Sequence, residues 1–187
     1  MSTLYSVGQM NQLGDALEEA GYTPDDVTKL RSSAHLGDFK KVLYGQAKIV
    51  VVKHVIDCDA DPFVPAGWKV EEHKKGGQLE WDPSKVSLYL SEYQKGGRFI
   101  QGYDLRKELE GKPVLNANVL DYLLDHPELI PEEWKGKAIF FWGTVYRYSG
   151  GSLYVRCLYW GGSQWRWDYD WLVDDWFDDR PVALACK

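Results

Sequence analysis

Lys137–Phe177 reads KAIFFWGTVYRYSGGSLYVRCLYWGGSQWRWDYDWLVDDWF and holds six of the chain's nine Trp, five of its twelve Tyr and three of its six Phe. No other stretch carries so large an apolar payload. Ser149-Gly150-Gly151 and Gly161-Gly162-Ser163 cut it into three runs rich in aromatic and β-branched residues. Runs of that length and composition between turn signals predict a three-stranded antiparallel meander. In its third run Trp165, Trp167, Tyr169 and Trp171 alternate with Gln164, Arg166, Asp168 and Asp170, so the rings share one face. The middle run and the first run, 138–148, are apolar on both faces, as expected of strands inside a sheet. One face is expected to pack on a core, and the remainder to be left as an aromatic surface carrying charges.

Working outward, the segment before the meander supplies a cover. Asn116 is placed to cap a helix whose Val119, Leu120, Leu123 and Leu124 form one apolar face, ending before Pro127. Leu105 and Leu109 mark a helix ahead of it, stopped by Gly111 and Pro113. Pro131-Glu132-Glu133-Trp134 reads as a short turn, and 180–187 as a final strand or a loose end. Leu79 and Trp81, then Val86, Leu88 and Leu90, alternate about an Asp82-Pro83 turn; a hairpin is preferred there over a helix opened at Asp82. Trp68 to Glu72 reads as a short strand, and Lys95-Gly96-Gly97-Arg98 as a basic turn.

The N-terminal part is helical. Met10, Leu13 and Leu17 fall at helical spacing before Gly21, and Thr23-Pro24-Asp25-Asp26 has the form of a helix start. A third helix near 38–44 places Phe39, Val42 and Leu43 together. Three short helices resemble a helix-turn-helix unit, which would make this segment a DNA-binding module; a helical cap is preferred, because the recognition segment has little Arg and the chain is acidic. The resulting expectation is an α+β fold: a helical segment over 1–46 and an α+β domain over 47–187, with a mixed or antiparallel sheet, two central helices and the C-terminal meander.

Composition bounds function. Of 187 residues 44% are hydrophobic and 27% charged, with net charge -6. An acidic chain disfavours a phosphate backbone as partner. No run approaches a membrane span, and the first residues lack the basic and apolar regions of a signal peptide, so a cytoplasmic protein without membrane partners is expected. Three cysteines, Cys58, Cys157 and Cys186, suit free thiols.

Lys48 to Cys58, KIVVVKHVIDC, predicts a continuous buried strand leading into Asp57, Asp59 and Asp61. Carboxylates spaced after a strand are one way to hold Mg²⁺, because a hard cation takes oxygen ligands. Pro62 and Trp68 stand where a calcium loop needs Gly and Glu, and the Asp57-x-Asp59 pair of dehalogenase-type phosphotransferases or of glycosyltransferases lacks the larger α/β setting. Turn chemistry is the preferred reading of these aspartates. A zinc site from His54, Cys58 and His73 fails on spacing, since His54 and Cys58 lie about 13 Å apart along a strand. No cofactor and no catalytic residue is expected, and a divalent-metal enzyme at the three aspartates is the alternative to a binding protein.

The segments LRKELEGKPVLNANVLDYLLDHPELIPEEWKG, IFFWGTVYR, LYVRCLYW, HVIDCDADPFVPAGWKVEEH and LEWDPSKVSLYLS resemble a family of hypothetical proteins common in candidate-phyla bacterial genomes. The resemblance covers most of the chain beyond its first 45 residues and implies no activity, cofactor or active site. The sequence therefore leaves a binding or interaction protein as the expectation. Its surface is expected to comprise Arg156, Trp160, Arg166, Asp168 and Asp170, and its partner to be a protein or a second copy rather than nucleic acid or glycan.

Overall fold

The computed structural model describes residues 4–33 and 36–186. The chain is an α+β protein that forms two compact units, Met1–Val52 and Lys53–Lys187. The first unit holds α1 (Val7–Glu19), α2 (Pro24–Ser32) and α3 (Leu36–Leu43). Ser6 and Gln9 form a capping box at α1, and Thr23 and Asp26 one at α2, each satisfying two otherwise orphaned backbone donors. No described residue of these three helices is buried.

The second unit contains β1 (Val55–Asp57), β2 (Trp68–His73), β3 (Gln78–Glu80), β4 (Val86–Tyr89), β5 (Ile100–Gln101), α4 (Gly102–Glu108) and α5 (Ala117–Asp125). Six strands follow: β6 (Ala138–Phe140), β7 (Thr144–Tyr148), β8 (Leu153–Trp160), β9 (Trp165–Trp171), β10 (Asp175–Trp176) and β11 (Val182–Ala185). Seven of the strands form one mixed sheet in the order β2-β7-β8-β6-β11-β4, with β9 on the other edge of β8. The β7-β8-β9 ladder is antiparallel, and β11 runs parallel to β6. No helix of the described residues is long and apolar enough to cross a membrane.

A helix packs on part of each face of the sheet, because its strands alternate apolar side chains to both sides. On one face α4 packs Leu105, with Leu109 just beyond it, against Phe140, Val145, Val155, Leu172 and Trp176. On the other α5 packs Val119, Leu120 and Leu123 against Ile139, Phe141, Leu158 and Ala183. Asn116 caps α5 as its position predicts, accepting from the Asn118 N–H at 3.2 Å. Its amide also donates to the carbonyls of Cys58 (2.8 Å) and Lys74 (3.0 Å), so one buried side chain ties three segments together.

Three local expectations are corrected. The run 138–148 is not one strand: it breaks at Phe141–Gly143 into β6 and β7, both of which pair with the same edge of β8. Gly143 causes the break. A Cβ there would lie 2.8 Å from Asn116 Cα, and its N–H donates to Leu115 O (2.8 Å) while its carbonyl accepts from Lys74 N (2.7 Å). The sheet forks at this point, β7 continuing to β2 and β6 to β11. The apolar run at 48–58 is strand only over Val55–Asp57, and Val50, Val51 and Val52 are exposed, because β-branched residues without a neighbouring strand form no ladder. The expected 79–90 hairpin contains strands, but β3 pairs with β1 and β4 with β11. Asp82 accepts from Ser84 N and opens a 3-10 turn that sends the chain elsewhere. Of the two readings left open for the C-terminal segment, the strand holds: β11 lies inside the sheet between β6 and β4.

Candidate binding surface

In the β8-β9 register Tyr154 lies opposite Trp171, Arg156 opposite Tyr169, Leu158 opposite Trp167 and Trp160 opposite Trp165. Opposite residues share a face. Arg156 and Trp160 therefore stand among the β9 aromatics on the α5 side, and not beside Arg166, Asp168 and Asp170 as the sequence pattern suggests. Arg156 is 1% exposed. Its guanidinium forms two bonds to Asp121 of α5, at 3.0 and 2.6 Å, and lies 4.4 Å from the Trp167 ring centroid and 5.2 Å from that of Phe63. A cation withdrawn from water needs such compensation, so this residue is an internal ion pair rather than a surface contact. Trp160 is half-buried, with the Lys135 ammonium 4.1 Å above its ring.

Away from α5 the same face opens. Tyr154 is buried at the centre of a ring cluster, stacked on Trp68 at 4.9 Å. Tyr169, Trp171 and Tyr148 approach it at 5.2, 5.7 and 6.3 Å with interplanar angles of 83°, 82° and 84°. Tyr148 and Trp171 are each 44% exposed and Tyr169 40%. The loop 60–67 edges this cluster, with Phe63 54% exposed and its carbonyl accepting from the Tyr146 hydroxyl at 3.0 Å. The expected core face of β9 is thus split: Trp165 and Trp167 pack on the α5 core, while Tyr169 and Trp171 face solvent.

The outer edge of β9 is also open, since β8 is its sole neighbour among the described strands. Leu172 N donates to Leu153 O, which makes the even-numbered residues of β9 the ones that bond to β8. The backbone N–H and C=O groups of Trp167 and Tyr169 then point outward. Tyr169 N–H is taken by the carboxylate of its neighbour Asp168 at 2.9 Å.

Arg166, Asp168 and Asp170 lie on the opposite face with Val155, Cys157 and Tyr159. A cavity of about 440 Å³ there is lined by Cys157, Tyr159, Asp168, Asp170, Asp179 and Arg180 among others. Asp170 pairs with Arg180 at 2.7 Å, yet burial holds its carboxyl above the ordinary range. Burial likewise pushes up the Cys157 thiol, and that of Cys58 to about 11, so both stay protonated at neutral pH and neither is a thiolate nucleophile.

Of the other candidates, Asp57, Asp59, His54 and His73 make hydrogen bonds within the chain. Asp57 accepts from Asp59 N (3.0 Å) and Asp59 from Gly77 N (2.8 Å), while Asp61 is exposed. His73 joins Thr144 Oγ1 (2.8 Å) to Cys58 O (3.1 Å), and His54 meets the Tyr122 hydroxyl at 3.0 Å. The sequence reading missed Tyr148, Trp68 and Phe63. Tyr148 could have been found by following the alternation Thr144, Tyr146, Tyr148 to its end; Phe63 carried no signal, since a loop residue has no periodicity. Comparison with protein-family models, curated proteins and solved structures gives no match for this chain.

Proposed function

We propose that the chain is a protein-binding module whose contact surface is the open aromatic end of the β7-β8-β9 ladder: Tyr148, Tyr169 and Trp171, edged by Phe63. The observation carrying this reading is the set of three partly exposed rings standing nearly perpendicular to the buried Tyr154. Aromatic side chains anchored on a rigid sheet supply contact area at little entropic cost and dominate protein interfaces. The net charge of -6 disfavours nucleic acid as the partner.

Selecting peptides from a random display library on the wild-type protein tests the proposal. Enriched peptides should bind Tyr148→Ser/Trp171→Ser at least tenfold more weakly while the variant keeps a cooperative thermal transition lowered by several degrees, and neither oligo-dT nor a β-glucan oligomer should compete. Peptides that bind the variant as tightly as the wild type, or a library yielding no binders, would refute it.

A further inference from the structure

The edge of β9 specifies more than an aromatic contact. Trp167 and Tyr169 turn backbone hydrogen-bonding groups outward, and an open strand edge is a template for another strand. An added strand would place alternate side chains on the two faces of the sheet. On the α5 side they would lie beside Trp167, Tyr169 and Trp171; on the other, beside Arg166, Asp168 and Asp170. Of these carboxylates Asp170 is paired with Arg180, whereas that of Asp168 is turned onto the Tyr169 N–H and faces the incoming strand. A strand carrying Lys or Arg would bring a cation to Asp168 at the edge. Resting on the interaction-module reading, we infer that β9 receives an extended segment of a protein partner in which apolar residues alternate with Lys or Arg.

Asp168 makes the edge selective. Its carboxylate occupies the Tyr169 N–H, so an incoming strand must displace it before a carbonyl can accept from that donor. A partner lysine or arginine opposite Asp168 compensates the displaced carboxylate; a neutral or acidic residue leaves it without a partner. The side chain blocks unselective edge pairing and admits a strand that carries the right charge.

The probe is a capped seven-residue peptide of alternating valine and lysine. Its controls are the valine–glutamate version and a valine–lysine version N-methylated on alternate residues. The valine–lysine peptide should bind, slow amide exchange at Trp167 and Tyr169 at least tenfold, and weaken at least fivefold with Asp168→Asn or on raising salt from 50 to 500 mM. The two controls should bind at least tenfold more weakly. Equal binding of either control, or protection elsewhere in the chain, would overturn strand addition. Protection of Trp167 and Tyr169 in the protein alone, with a dimer in sedimentation, would instead assign the edge to a second copy and also refute the inference. If library-selected peptides depend on Tyr148 and Trp171 yet tolerate N-methylation, the aromatic surface stands and strand addition falls.

Discussion

The two ends of the β8-β9 ladder carry the same kind of side chain and meet different fates. At one end Leu158, Trp167 and Trp165 pack under α5 and its following turns; at the other Tyr169 and Trp171 share the face with Trp68, Tyr148 and the buried Tyr154 and reach solvent. Strand pairing is continuous through both. What separates them is the length of α5, nine residues, or about 13 Å at helical rise. The Arg156–Asp121 pair marks the border between them. An aromatic strand is thus core or surface according to the element laid over it, and its own pattern does not carry that information.

The border is where the contrast is most easily broken. Asp121→Ala leaves the Arg156 cation buried without its carboxylate and should cost about 3 kcal/mol, the low end for such pairs because Asp121 is 30% exposed. Arg156→Met/Asp121→Leu should recover most of that in urea unfolding. A loss below about 1 kcal/mol for the single variant would mean that the rings alone hold the cation. The next effect compares the two ends directly. Leu158→Ala, fully buried, should cost about 3 kcal/mol, and Trp171→Ala about 1 kcal/mol despite removing a larger ring. Equal losses would erase the distinction between covered and open ends.

The smallest effect belongs to the face sealed by α4. Tyr89 donates to Glu108, and burial first, then that bond and the Glu108 charge, raises its phenol to about 12. A folded-state value above the ordinary 10 means that the protonated phenol's contribution is full below pH 10 and is lost as pH rises through about 12. Relative to wild type, Tyr89→Phe should show a shallower fall in stability between pH 10 and 12, read from urea midpoints at each pH. Parallel curves would show that Tyr89 ionises alike in the folded and unfolded chain.

Alternation and capping signals carried much of the fold. The pattern of 165–171 and the Asn116 cap with its leucines correspond directly to β9 and α5. The face of Arg156 was misread because alternation within each strand says nothing of how two strands align. Four residues, Gly161–Gln164, separate the Trp160–Trp165 pair, so even-numbered residues of β8 meet odd-numbered residues of β9. Gly143 was likewise unreadable, since the demand for glycine comes from Asn116, distant in sequence. The open aromatic end depends on Trp68 and Phe63 meeting the meander, a long-range packing event with no local signature.

The forked sheet also fixes an order of events during synthesis. Among the described strands β4 has β11 as its one neighbour, and β11 emerges from the ribosome on the order of a hundred residues later, roughly 5–20 s at ordinary elongation rates. The β7-β8-β9 ladder closes through short local turns and can form before then. Leu88 and Tyr89, which end on opposite faces of the finished sheet, spend that interval without their partner strand. The nascent chain is therefore most exposed to chaperones and to misassociation at its eventual β4 edge until β11 clears the ribosome.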